Sequence, residues 1–126
     1  MKRTAVNPWD WSVQFGFNQA ELVEEPSKVL LCSGQTAIDG DGHVQHAGDI
    51  GAQANLAWDN LEAVLGEAGM TIDNVVRATI FTTDVDACIA ALGEMGERRP
   101  SAFTLIGVSR LAYPELLVEL EAIAVR

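Results

Sequence analysis

Apolar residues recur along the chain with two different periods. Between Asp49 and Gly69, the residues Ala54, Ala57, Trp58, Leu61, Val64, Leu65 and Ala68 fall three or four apart, with Gln53, Asn60, Glu62 and Glu67 outside the stripe. A 3.6-residue repeat gathers such a set on one face of an amphipathic helix. Asp49 reads as its N-cap, since a carboxylate can accept from free first-turn amides, and Gly69 as its stop, since glycine tolerates a left-handed backbone. A shorter stripe of Val85, Cys88, Ile89, Leu92 and Met95 follows Asp84 and runs to about Gly96, ahead of Arg98-Arg99-Pro100. It predicts a second helix, capped by Asp84.

The remaining apolar runs are strand-like. Residues 75–83 are β-branched and poor in helix formers, and predict a strand. Residues 102–108 and 116–125 predict two more, separated by a Tyr113-Pro114 turn. Nearer the N-terminus, residues 21–24 and 28–32 flank Glu25-Pro26-Ser27 and predict a hairpin, with an irregular stretch before it. Asp39-Gly40-Asp41-Gly42 marks a further turn. The order is β-β-α-β-α-β-β in a single domain spanning residues 1–126. Both helices can then bury one stripe on the same sheet face, which gives an α/β two-layer sandwich. The other face is left open and, at 48% hydrophobic residues, is expected to meet another subunit.

Charge narrows the partners. Eighteen acidic residues against eight basic ones give a net charge of −10. Such a surface repels phosphate backbones and anionic headgroups, so neither nucleic acid nor membrane is expected as a partner. No apolar run reaches the ~18 residues of a membrane span. The opening Met1-Lys2-Arg3-Thr4 is basic, but Asn7-Pro8-Trp9-Asp10-Trp11 is no signal-peptide core. Cys32 and Cys88 are too few, and too apolar in context, for a disulfide framework. A small cytoplasmic protein is expected.

Candidate chemistry concentrates in the last strand. Glu119 and Glu121 fall on one side of it, about 6.6 Å apart, among the apolar Leu117, Ile123 and Val125. A carboxylate pair in such a stripe either finds cations, here Arg77, Arg110 or Arg126, or carries a raised pKa suited to proton transfer. Ser33-Gly34 closes an apolar strand. It offers a hydroxyl and an unhindered amide to an oxyanion or carboxylate, or simply a small residue at a strand end. No Gly-x-Ser-x-Gly elbow surrounds Ser33, which argues against a hydrolase nucleophile. Cys32 has no nearby cation and reads as core. His43 and His46 sit on a turn without a third ligand, so no metal is expected. The Asp-Gly-Asp-Gly turn lacks a calcium loop's closing glutamate, with Ile50 in its place. Phosphate-cradling glycine motifs are absent. Trp9 and Trp11 bracket Asp10, either lining a pocket or packing the N-terminal arm.

Several segments together resemble the RidA (YjgF/YER057c/UK114) family. They are Ser33-Gly34-Gln35, Asn60-Leu61-Glu62-Ala63-Val64-Leu65 with Gly69, Val75-Val76-Arg77-Ala78-Thr79-Ile80-Phe81 with Thr83-Asp84, and the closing Val118-Glu119-Leu120-Glu121-Ala122-Ile123-Ala124-Val125. The resemblance spans residues 12–126. It implies a chorismate-mutase-like fold, a homotrimer with three inter-subunit clefts, and a cofactor-free, metal-free enamine/imine deaminase that releases a 2-oxo acid and ammonia. By the same resemblance, Ser33 and Gly34 help to bind substrate, and Glu119 positions water and moves the proton.

Other positions depart from the family's pattern. Ser101-Ala102-Phe103-Thr104 stands where active deaminases read Pro-Ala-Arg-Ser, so Phe103 occupies the place of the carboxylate-binding arginine. Phe17 replaces a pocket tyrosine, Leu105 a cysteine, and Asp86 an asparagine. The connection at residues 96–100 is shorter than usual. The chain thus resembles an arginine-less subgroup, unless Arg99 or Arg110 reaches in instead. The expected small-molecule cleft is bounded by Phe17, Ser33, Gly34, Phe103, Leu105 and Glu119. It serves imine hydrolysis with altered substrate choice or, alternatively, a non-catalytic ligand-binding or regulatory trimer. Ribonuclease activity ranks third, because the chain is acidic and no His–Lys or His–His constellation is evident.

Overall fold

Two aspartates set the start of the helices in the computed structural model of the chain, which describes residues 1–95 and 101–126. Asp49 accepts from the Ala52 amide at 3.0 Å and Asp84 from the Ala87 amide at 3.1 Å. Among the described residues, the elements run β1 (Lys2–Val6), β2 (Ala20–Glu24), β3 (Val29–Gln35), α1 (Ile50–Glu67), β4 (Val75–Thr82), α2 (Val85–Glu94), β5 (Ala102–Gly107) and β6 (Val118–Val125). Gly69, at φ 69°, turns the chain away after α1, as expected of a helix-ending glycine. The expected end of the second helix near Gly96 lies outside the described residues, as do Arg98, Arg99 and Pro100.

β6 is the strand on which the sheet is built. Its neighbours are β3 and β4, both antiparallel to it, and β5 joins β4 in parallel, giving the order β3-β6-β4-β5. Along β6, Val118, Leu120, Ala122 and Ala124 are buried. They meet Ala54, Ala57, Trp58, Leu61 and Leu65 of α1 and Cys88 of α2 in one core. Both helices thus cover one face of a mixed sheet, the α/β two-layer sandwich that the periodicities imply. No helix among the described residues is long and apolar enough to cross a membrane.

The N-terminal hairpin does not form as expected. β2 pairs instead with β1, from Lys2 opposite Glu24 to Val6 opposite Ala20, in a separate two-stranded ribbon. The stretch read as irregular therefore contains a strand. Glu25 takes a left-handed φ of 52° and Pro26 follows it, which swings the chain out of the ribbon. Lys28 then exchanges both backbone hydrogen bonds with Arg126, at 2.8 and 3.0 Å, committing β3 to β6. The ribbon is stapled to the body by Arg3, whose guanidinium donates to the carbonyls of Asp73 and Val75 and lies 3.6 Å from the Glu21 carboxylate.

Gln53 is a second correction. Expected outside the helix stripe, it is fully buried. Its amide nitrogen donates to the carbonyl of Glu115 at 2.9 Å and its oxygen accepts from the Leu117 amide at 2.8 Å. The Leu117 carbonyl in turn accepts from Thr82 Oγ1 at 2.8 Å. Polar side chains hold the peptide just ahead of β6 from both sides. Periodicity alone could not show this, because a buried amide with satisfied bonds is indistinguishable in sequence from an exposed one. Gln53→Leu keeps the volume but strands these backbone groups, and should lower the unfolding free energy by about 2–4 kcal/mol in chemical denaturation.

Candidate functional site

The register of β3 on β6 brings Gly34 under Glu119. Cys32 faces Ala122 and Gln35 faces Leu120, so Ser33 and Gly34 together oppose the single residue Glu121. This is a β-bulge at the edge strand of the sheet. A Cβ on Gly34 would stand 2.7 Å from Glu119 Cδ and 3.0 Å from Cγ, and closer still to Oε1. Only glycine leaves room for the carboxylate to lie across the strand. The hint in the sequence was a glycine inside an apolar strand, which often marks a bulge.

Glu119 lies on the sheet face away from the helices. It stands opposite Phe81, Glu121 opposite Thr79, and Ile123 opposite Arg77. Burial pushes the half-buried Glu119 carboxyl above its ordinary value, and the Glu121 charge pushes it further. Two of the three arginines considered as partners for the acid pair are engaged elsewhere in the chain. Arg77 Nη2 donates to Thr104 Oγ1 at 3.3 Å, and Arg126 Nη1 donates to the Gly69 carbonyl at 2.8 Å. Arg110 is exposed in the segment between β5 and β6. On the same face a shallow depression of about 230 Å³ is lined by Leu31, Arg77, Thr79, Glu121 and Ile123, with Cys32 and Ala122 beneath.

Phe103 and Leu105 are on the other face. Phe103 pairs with Ala78 and Leu105 with Ile80, so both turn toward the helices and pack against the core. Phe17 joins them, its ring centroid 6.0 Å from that of Phe103, and Trp11 stands edge-on to Phe17 at 5.8 Å. Trp9 and Trp11 remain largely exposed, at 64% and 51%. The Asn18 amide anchors this arm to β5 by donating to the Ser101 carbonyl at 3.0 Å. The expected cleft residues therefore form two groups. Ser33, Gly34 and Glu119 cluster at the β3 edge, whereas Phe17, Phe103 and Leu105 gather at the β5 edge on the opposite face. Two strands lie between β3 and β5, about 14 Å at ordinary strand spacing, and one lies between Glu119 and β5. One chain does not unite them.

The other candidates resolve simply. Cys32 and Cys88 are buried free thiols, both pushed up in pKa chiefly by burial. Asp39 accepts from the amides of Asp41 and His43, at 2.9 and 3.0 Å, and these backbone bonds hold its carboxyl below the ordinary value. Asp39-Gly40-Asp41-Gly42 is thus a turn, with Gly42 at φ 84°. Among the described residues no three His, Cys, Asp or Glu side chains group as metal ligands.

Two outcomes follow from the Glu119–Gly34 contact. Gly34→Ala should push the flexible Glu119 side chain off the strand while costing no more than about 1 kcal/mol of stability, read in denaturant melts. Glu119→Gln should raise the melting temperature at pH 7. The native Glu119 holds its proton to higher pH than the unfolded chain does, so wild-type stability falls as pH rises from the ordinary carboxylate value through the native one. The difference between the two proteins should vanish below about pH 4, where Glu119 is protonated in both states.

Comparison with known proteins places this architecture. The family model described as endoribonuclease L-PSP matches residues 15–126. The protein DfrA of Myxococcus xanthus is 34% identical over 96% of this chain and 87% of its own length. A 2-iminobutanoate/2-iminopropanoate deaminase of Salmonella typhimurium is 31% identical over 78% of this chain and 80% of its own. Among solved structures, the Rid-family protein YyfB of Yersinia pestis superposes with a TM-score of 0.84 at 34% identity, covering both chains fully. With the family model matched over most of its length and a two-helix, mixed-sheet fold shared with solved members, the chain belongs to the RidA (YjgF/YER057c/UK114) family.

Proposed function

We propose that this protein hydrolyses imines or related electrophiles to a carbonyl compound and ammonia, as a homotrimer with its sites in clefts between copies. The observation that carries this reading is the Glu119 carboxyl, laid over Gly34 at an open strand edge and pushed up in pKa. Similarity to an imine deaminase supports the reaction class. The separation of the two residue groups supports the cleft between copies. A head-to-tail neighbour that brings its β5 edge to this chain's β3 edge would unite Phe17, Phe103 and Leu105 of one copy with Ser33, Gly34 and Glu119 of the next.

The chemistry needs one water and one carboxyl. The ionised Glu119 takes a proton from the water as its oxygen bonds to the imine carbon, and passes that proton to the nitrogen. The hydroxyl proton of the carbinolamine then moves through Glu119 to the nitrogen as the C–N bond breaks, so that ammonia leaves and a C=O bond remains. A carboxyl titrating nearer neutrality gives and takes protons more readily than one at its ordinary value.

Phe103 sets the substrate. Where the family's pattern places a carboxylate-binding arginine, a phenyl ring offers no charge. Losing a bidentate arginine–carboxylate contact can cost about 10²-fold or more in binding. The exposed Asp86 in the first turn of α2 adds a negative charge. Neutral, cationic or aromatic imines are favoured over 2-imino acids. The same Phe103 favours the second reading, a non-catalytic ligand-binding or regulatory trimer. Ribonuclease activity ranks below both, since a net charge of −10 repels RNA.

A coupled assay tests this, with an amino-acid oxidase supplying 2-imino acids, an amine oxidase supplying uncharged imines, and semicarbazide trapping whatever survives. The wild type should accelerate loss of the uncharged imines more than that of the 2-imino acids. Phe103→Arg should raise 2-imino acid hydrolysis at least about tenfold, and Glu119→Gln should lower catalysed hydrolysis about 10²-fold or more. If neither wild type nor Phe103→Arg accelerates any imine, while a small ligand still raises the melting temperature, the binder reading replaces it.

A further inference from the structure

The strands β3, β4, β5 and β6 carry just three charged side chains, Arg77, Glu119 and Glu121. The strand registers put all three on the face that the helices leave open. Around them the face is apolar, with Leu31 74% exposed, Ile106 41% exposed and Ile123 half-buried. Charges held on so apolar a face are costly to cover unless each meets its opposite.

Within one chain Arg77 and Glu121 do not meet. Arg77 leans away from β6 toward β5, where Nη2 bonds Thr104 Oγ1. Glu121 stands across from Thr79 on the β6 side. Among the described residues, no ion pair joins either of them to another side chain in the chain. Arg77 and Glu121 thus stand diagonally on the two central strands, lining one depression with Thr79 and Ile123, with the guanidinium turned toward the β5 side.

Resting on the proposed homotrimer, and with the neighbouring copy set against this open face, we propose that Arg77 of one copy pairs with Glu121 of the next, so that assembly sets the charge beside Glu119. Glu121 is the acid whose charge pushes the Glu119 carboxyl upward. A guanidinium brought to Glu121 offsets that push and leaves burial as the remaining cause. On the elements around Glu119, β6 contributes Glu121 and β4 contributes Arg77, whereas β3 and β5 contribute no charged group. The pair therefore couples association to the proton inventory of the residue proposed to do the chemistry. It also selects partners, since a like-charge contact at either position opposes docking.

Sedimentation equilibrium on the full chain tests the pairing, with circular dichroism confirming that each variant is folded. The wild type should assemble. Arg77→Glu and Glu121→Arg should each weaken assembly at least about tenfold, and the two together should restore it. A second pair guards against a swap that fails to fold. Arg77→Leu and Glu121→Leu should each weaken assembly, and the double variant should recover it, because two apolar residues leave no charge stranded. A monomeric wild type overturns the covered face itself. An assembled wild type whose single variants assemble equally well, or whose doubles do not recover, overturns the pair alone. In carbon-13 titration at concentrations where both proteins are assembled, Arg77→Leu should move the Glu119 carboxyl to higher pH. An unchanged titration overturns the coupling.

Discussion

The pleat of β6 is the constraint from which the rest of the molecule follows. Because successive side chains point to opposite faces, Val118, Leu120, Ala122 and Ala124 enter the core while Glu119, Glu121 and Ile123 stay on the other face. β6 lies between β3 and β4, so its register sets theirs. A slip of one residue would drive two carboxylates in among Leu61, Leu65 and Ile80 and put the small apolar residues outside. The cost of burying unpaired charge makes that arrangement inaccessible. The Gln53–Leu117–Thr82 linkage guards the same register from the loop side, since it holds the peptide two residues ahead of Glu119.

That register also sets the surroundings of Glu119. The two-for-one opposition of Ser33 and Gly34 against Glu121 makes a bulge where the sheet ends, and the missing Cβ of Gly34 opens the space that Glu119 fills. A half-buried carboxylate beside a second acid has few ways to lower its energy except to keep its proton. Small residues that let the backbone approach a side chain are the ones that leave that side chain poorly solvated.

The edges of the sheet divide the labour. The β3 edge holds the acid, and the β5 edge holds an aromatic ladder from Phe103 through Phe17 to Trp11. The depression on the open face between them is shallow. That face carries exposed Val29, Leu31 and Ile106, together with one cation and two anions.

Local pattern determined much of this protein. Both helices, their aspartate caps, the Gly69 stop, the strands β4, β5 and β6, and the pairing of Glu119 with Glu121 on one side were legible, because amphipathic periodicity and capping are properties of neighbouring residues. Family membership was legible for the same reason, in contiguous segments such as Val118-Glu119-Leu120-Glu121-Ala122-Ile123-Ala124-Val125. Strand partners were not legible. The reassignment of β2 from β3 to β1 rests on a left-handed Glu25 and on the bonds between Lys28 and Arg126, ninety-eight positions apart in the chain. Nor did the sequence reveal that Gln53 is buried, that Ser33-Gly34 forms a bulge under Glu119, or that Phe103 and Glu119 lie on opposite faces. Each of these depends on register between distant segments. Hydrogen bonds and excluded volume in three dimensions decide register, and no local pattern records it.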